Sequence, residues 1–200
     1  PAATYIQLAG VLGGGGALGY MIGQRVDPTS LPQTVAAFHS LVGIAAVATA
    51  LGEFLAHAEE LGAAGGAAAV AAAVVGGVTF SGSIVAYAKL AGLVPSKPLA
   101  KNDAVNLGLL AASLGAGGLA VAQGVEAAPA FAASGGFAAL LGYFLTSSVG
   151  GADMPVVITV LNSYSGWALA AEGVLLKDPT LASVGALIGF SGAILTKIMC

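Results

Sequence analysis

Long apolar stretches separated by short polar breaks run through the whole chain. A helix that crosses a bilayer needs roughly 20 predominantly apolar residues. Seven stretches qualify: Thr4–Gly23, Thr34–Leu55, Gly65–Leu93, Ala104–Gln123, Ala128–Ser148, Met154–Leu176 and Leu181–Cys200. The pattern predicts an all-α fold, a polytopic transmembrane helix bundle of about seven spans filling residues 1–200. The third stretch exceeds a bilayer's need, so it tilts or extends past the hydrocarbon. Turn chemistry marks the clearest breaks. Asp27, Pro28 and Pro32 lie in the first connection, Pro95 to Asp103 in the third, and Asp178-Pro179 closes the sixth helix.

Composition supports lipid as the solvent. Of the 200 residues 58% are hydrophobic and only 8% charged, whereas a soluble domain carries about 25% charge. Mean hydropathy is +0.95. The 31 glycines would suggest loops in a soluble chain, but in membrane helices small residues let backbones approach closely. Cys200 alone excludes an internal disulfide framework and a thiolate metal cluster. A net charge of −3 gives no basic footprint for nucleic acid. The chain opens on Pro1 with no charged n-region before its first apolar run, and reads as a piece of a longer protein.

With seven spans the termini face opposite sides. Arg25, Lys89, Lys97, Lys101 and Lys197 fall on the side that holds the C-terminus, and Lys177 alone on the other. The positive-inside rule therefore puts the C-terminus in the cytoplasm. The opposite side collects Glu53, Glu59, Glu60, Glu126, Glu172 and Asp178. An Ala- and Gly-rich composition suggests the bacterial inner membrane.

A polar side chain inside hydrocarbon is costly, so each one is a functional hypothesis. His39, in Ala36-Ala37-Phe38-His39-Ser40, is either a proton carrier, with an unperturbed pKa of about 6.5, or a neutral imidazole bonded to a neighbouring helix. Asn162, in Leu161-Asn162-Ser163-Tyr164-Ser165, can hold a water or meet a histidine, or serve as glue between helices. Ser83 ends Thr79-Phe80-Ser81-Gly82-Ser83, where at least one hydroxyl should bond its own i−4 carbonyl. Asp153, before Met154-Pro155, has N-cap chemistry, to which a surface role would be additional. At 1.5 Å of rise per residue, His39 lies roughly 8 Å into its helix, Asn162 roughly 14 Å beyond Asp153 and Ser83 roughly 15 Å from Leu93. Three helices thus carry polar groups in one half of the membrane, which suits a short hydrated path.

Two patterns are decoys. Gly14-Gly15-Gly16-Ala17-Leu18-Gly19 matches a dinucleotide fingerprint, but that motif needs a strand before it and a helix opening after it. Here it interrupts an apolar span, and close helix packing through Gly15, Gly19 and Gly23 explains it better. Glu53, His57 and Glu60 have the helical spacing of metal ligands but fall among other acids at a helix end, where a solvated face is expected. No metal site is assigned.

The block Gly150-Gly151-Ala152-Asp153-Met154-Pro155-Val156-Val157, running into Leu161-Asn162-Ser163-Tyr164-Ser165-Gly166-Trp167, resembles proton-translocating nicotinamide nucleotide transhydrogenase, in the membrane domain of the bacterial beta subunit. Ala37 to Gly43, Gly77 to Ser83, and Ser191 to Leu195 with Ile198-Met199-Cys200 extend the resemblance, in the family's order, over most of the chain. The resemblance implies a membrane domain that couples proton movement to hydride transfer from NADH to NADP+. Separate domains would bind NAD(H) and NADP(H), none of it held by this segment. It implies alpha-side subunits that bring further spans, an NADP(H)-binding domain after the C-terminus, two more helices at the start of the beta side, and a homodimer of the whole enzyme. By motif, His39 matches the proton-path histidine, Ser83 and Asn162 its neighbours, Asp153 the acid facing the NADP(H) domain and Gly192 a small position near the path. Phe190, where a small hydroxyl residue is common, and Thr196-Lys197, where Ser-Tyr is common, depart from the pattern and bear on packing and the cytoplasmic exit. Residues 1–200 are therefore read as a transmembrane proton-translocating domain, against a stand-alone proton or solute channel and a purely structural anchor.

Overall fold

The structure, a computed structural model, describes residues 2–200. It contains seven helices long and apolar enough to cross a membrane: α1 Ala2–Gly23, α2 Leu31–His57, α3 Gly62–Leu90, α4 Asp103–Gln123, α5 Ala128–Ser147, α6 Met154–Leu175 and α7 Pro179–Met199. The helices are Ala-, Leu- and Gly-rich, and their ends are set by local chemistry. Prolines occupy the first turns of α2, α5, α6 and α7, where the missing N–H costs nothing. Asn102 caps α4 by accepting from the Val105 N–H at 3.2 Å. Asp178 caps α7 by accepting from Thr180 and Leu181 at 2.8 and 3.1 Å. Gly124 ends α4 at φ +77° and ψ −159°, an extended positive-φ conformation that only glycine adopts cheaply.

The third helix is the axis of the bundle, with α2 and α6 on one flank and α5 on another; α4 lies against α5 and α7 against α6. Small residues set these distances. A Cβ on Gly43 of α2 would stand 2.5 Å from the Phe80 nitrogen of α3, and one on Gly77 of α3 would stand 2.7 Å from the Gly135 oxygen of α5. Between α6 and α7 the pairing is continuous: Gly166 abuts Gly189, Ala170 abuts Gly185 and Gly173 abuts Ala182. Each turn forward along α6 is matched by a turn back along α7, the register of an antiparallel pair joined by a tight loop. In lipid, where burying apolar surface brings little, such backbone contact supplies much of the association energy.

Larger side chains fill the gap at the end of the bundle that carries Glu53, Glu59 and Glu60. Phe54 and Phe131 stack with centroids 4.5 Å apart and planes 8° from parallel, amid Ala50, Ala69, Ala72 and Leu175. At the lysine-bearing end, Met154 is fully buried against Ala36, Ala86 and Leu161. The first helix stands apart: nothing lies within 4 Å of a Cβ built on Gly15, Gly19 or Gly23. The close packing expected of those glycines is therefore not made among the described residues.

Candidate functional site

Three helices converge on the middle of the bundle through one register. Gly43 of α2 opposes Phe80 of α3, so one turn back along α2 and one turn on along α3 bring His39 level with Ser83. Gly82, beside Ser83, faces Leu161 of α6, 3.1 Å from where its Cβ would be. That sets Asn162 at the same height. The contact itself is direct: the His39 Nε2–H donates to Asn162 Oδ1 at 3.2 Å.

The other polar atoms of this layer lack protein partners. His39 Nδ1 and Ser83 Oγ are both buried and unbonded among the described residues. Buried polar atoms are nearly always satisfied, and a small polar gap between helices commonly does so with water. The neighbouring hydroxyls behave differently. Thr79 donates to its own i−4 carbonyl, Val75 O, at 2.7 Å, the local bonding expected of at least one of the three. Ser81 donates to Ala139 O across to α5. Ser83 alone of the three turns to neither.

The last helix braces the asparagine. A Cβ on Gly192 would stand 2.6 Å from Ser163 N and 3.0 Å from Asn162 Nδ2, so α7's backbone forms the wall behind the amide. Ser163 donates to Gly189 O at 2.7 Å, and the Thr159 and Thr196 hydroxyls meet at 2.9 Å. Ser163→Ala should remove one interhelical hydrogen bond. A cost of about 0.6 kcal/mol is expected, or roughly 1–2 °C in the melting temperature in detergent. The two departures from the family pattern find places here. Phe190 is exposed and sets its ring edge-on to Trp167 at 4.8 Å, away from the amide. Thr196 bonds Thr159 and its own helix, and Lys197 is exposed.

Asp153 lies apart from this cluster, nine residues before Asn162, roughly 14 Å along a helix axis. It occupies the N-cap position of α6, but its side chain makes no capping hydrogen bond, and it is exposed. The carboxylate is free to meet something beyond the end of the bundle. The acidic decoy resolves into a pair on the last turn of α2, where His57 Nδ1 lies 3.1 Å from Glu53 Oε2.

Two charged residues that the sequence offered only as markers of sidedness are buried. Glu172 is 8% exposed, inside α6 and ten residues beyond Asn162, roughly 15 Å toward the acidic end. Lys89 is 6% exposed at the end of α3. The signal for both was present: each lies inside an apolar run, not beyond it.

These features define a class, a polytopic integral membrane protein with a half-buried histidine–amide pair among its helices. Comparison with known proteins narrows it. A family model described as NAD(P) transhydrogenase beta subunit matches residues 2–200, and the chain belongs to that family. Two relatives from Rhodospirillum rubrum, one of them from a named strain, each called NAD(P) transhydrogenase subunit beta, are 47% identical to it over 193 residues. The match covers 93% of this chain and 42% of each relative, so the chain spans less than half the length of those proteins.

Proposed function

We propose that this chain is the proton-carrying membrane part of a transhydrogenase, coupling proton movement across the bilayer to hydride transfer from NADH to NADP+. The hydride chemistry belongs to separate nucleotide-binding domains, one holding NADP(H) and continuing from the C-terminus. Alpha-side subunits complete the membrane part, and the whole enzyme is a homodimer in the bacterial inner membrane with this C-terminus cytoplasmic. The five-to-one bias of basic residues supports that orientation.

One observation carries the reading: an imidazole inside a membrane bundle, hydrogen-bonded to Asn162 on one nitrogen and left open on the other. A proton enters from the acidic end, where Glu172 offers a buried carboxyl, and pauses at His39. Asn162 and Ser83 hold the imidazole and its hydration, and Gly192 keeps the amide in place. The proton leaves toward Asp153, whose free carboxylate faces the NADP(H) domain. Charging an imidazole away from water is costly, so its protonation biases how the helices sit. The nucleotide domain would sense that bias through the start of α6.

Sealed vesicles holding the full-length enzyme with its alpha-side partners test this against the two competing roles. Hydride transfer should build a pH gradient, and a protonophore that collapses the gradient should speed the reaction. A stand-alone channel would conduct with no nucleotide present, and an anchor whose protons travel elsewhere would build the same gradient with Asn162→Leu as with the wild-type chain. Either outcome would end the reading.

A further inference from the structure

Lys89 has no place in the proton path, yet it is nearly sealed from solvent at the end of α3. Its ammonium donates to three main-chain oxygens: Thr146 at 3.3 Å, Ser147 at 2.8 Å and Val149 at 2.6 Å. An ammonium has three donors, and all are used. Among the described residues, no carboxylate lies within ion-pair distance of it. The charge is balanced by dipoles alone. Thr146 and Ser147 end α5, so their carbonyls belong to the last turn, which has no partners within the helix, and the cation sits at the negative end of the helix dipole.

The stretch of chain that follows is held from a second side. Leu99 N donates to Ser147 O and Gly151 N donates to Ser96 O, each at 3.0 Å. A Cβ on Gly151 would stand 2.7 Å from the Ser96 Cβ. The turn from α5 to α6 is therefore fastened to the end of α3 and to the connection that leaves it. Directly after this turn come Asp153 and the buried Met154, and two turns further, Asn162.

We propose that Lys89 is a positioning residue for the proton path. Its ammonium, seated on three carbonyls at the end of α5, fixes the α5–α6 turn and so the height at which α6 presents Asp153 and Asn162. This rests on the proton-path reading above. On this account α3 both carries Ser83 and anchors the helix that carries Asn162.

The test uses the full-length enzyme in vesicles with Lys89→Met, which keeps an unbranched side chain, one atom shorter, and removes the three donors. Two readouts are taken together: amide hydrogen exchange at Gly151 and Asp153, and protons moved per hydride transferred. Exchange at those amides should rise at least tenfold, and the proton-to-hydride ratio should fall by half or more. A helix cap that served stability alone would lower the melting temperature and leave that ratio at its wild-type value, and this result overturns the proposal. So does unchanged exchange in the turn. If Lys89→Met does not accumulate in the membrane, Gly151→Ala pushes a methyl group onto Ser96, loosens the same turn from its other side and is held to the same two outcomes. His39→Ala measured alongside separates the two claims: normal pumping in that variant removes the path reading, and the positioning role with it, whatever the turn's exchange does.

Discussion

His39→Ala is expected to lower proton uptake linked to hydride transfer on the order of a hundredfold, the low end of what a positioned acid–base group contributes. The side chain has one direct hydrogen bond, to Asn162, and its loss removes the one imidazole set between helices in this half of the bundle; His57, the other histidine, is exposed on the last turn of α2. Asn162→Leu should be milder. It leaves the imidazole but removes the acceptor, and interhelical hydrogen bonds in membranes average about 0.6 kcal/mol and reach about 1.7 kcal/mol. A loss of roughly three- to fifteenfold follows. The order of the two variants is the informative part. Were Asn162→Leu the more damaging, protonation of the imidazole would not be the step that limits proton movement. Proton uptake on adding NADPH to the reconstituted enzyme, wild type against each variant, measures both.

The second large effect belongs to Gly192. Gly192→Val would place methyl groups where Ser163 N stands 2.6 Å and Asn162 Nδ2 3.0 Å from the first added carbon. The nearest obstacle is main chain, which cannot rotate aside as a flexible side chain would. The α7 helix has to shift away from α6, and it is also gripped through Gly189 and Gly185 on the neighbouring turns. Overpacking of this kind costs about 3 kcal/mol at the upper end of its usual range, roughly 6–12 °C in melting temperature for a chain this size. Coupled pumping should fall with it, because the amide moves off His39. Gly118→Ala gives the control, since beyond its own turn of helix no atom of the described residues lies within 4 Å of where its Cβ would be. A Gly192→Val enzyme that melts and pumps like wild type would mean that α7 does not brace the asparagine.

The seven helices were legible because lipid imposes a simple rule of length and polarity, and each apolar run obeyed it. Boundaries moved modestly: α2 begins at Leu31 and ends at His57, and α3 stops at Leu90 where a left-handed Gly92 follows. Depth was legible too, since helical rise converts residue number into height. His39, Ser83 and Asn162 could be put in one half of the membrane that way. Which helices are neighbours was not, because rise carries no information on direction around the axis. The glycine contacts of α2, α3 and α6 supply that direction. Gly192 had meaning in the sequence only through its resemblance to a family, and its reason appears when its missing Cβ is seen against the amide. By sequence Lys89 and Glu172 belong to opposite surfaces, since a charge near the end of an apolar run looks like a boundary. Their place inside the runs was the overlooked sign, and the fold turns both inward. Asp153 shows the converse: its position is that of a cap, yet its carboxylate bonds nothing in the helix.

The length of α3 has a consequence for how the domain sits in lipid. Its 29 residues extend roughly 43 Å against a hydrocarbon thickness near 30 Å. It must lean away from the bilayer normal or protrude into the headgroups at one end. Because α2, α5 and α6 all rest on it, its inclination constrains theirs, and Lys89, one residue from its end, is carried toward the headgroups, where a buried cation is least expensive to keep. The shorter α1, about 33 Å long, has no such excess and can stand nearly upright.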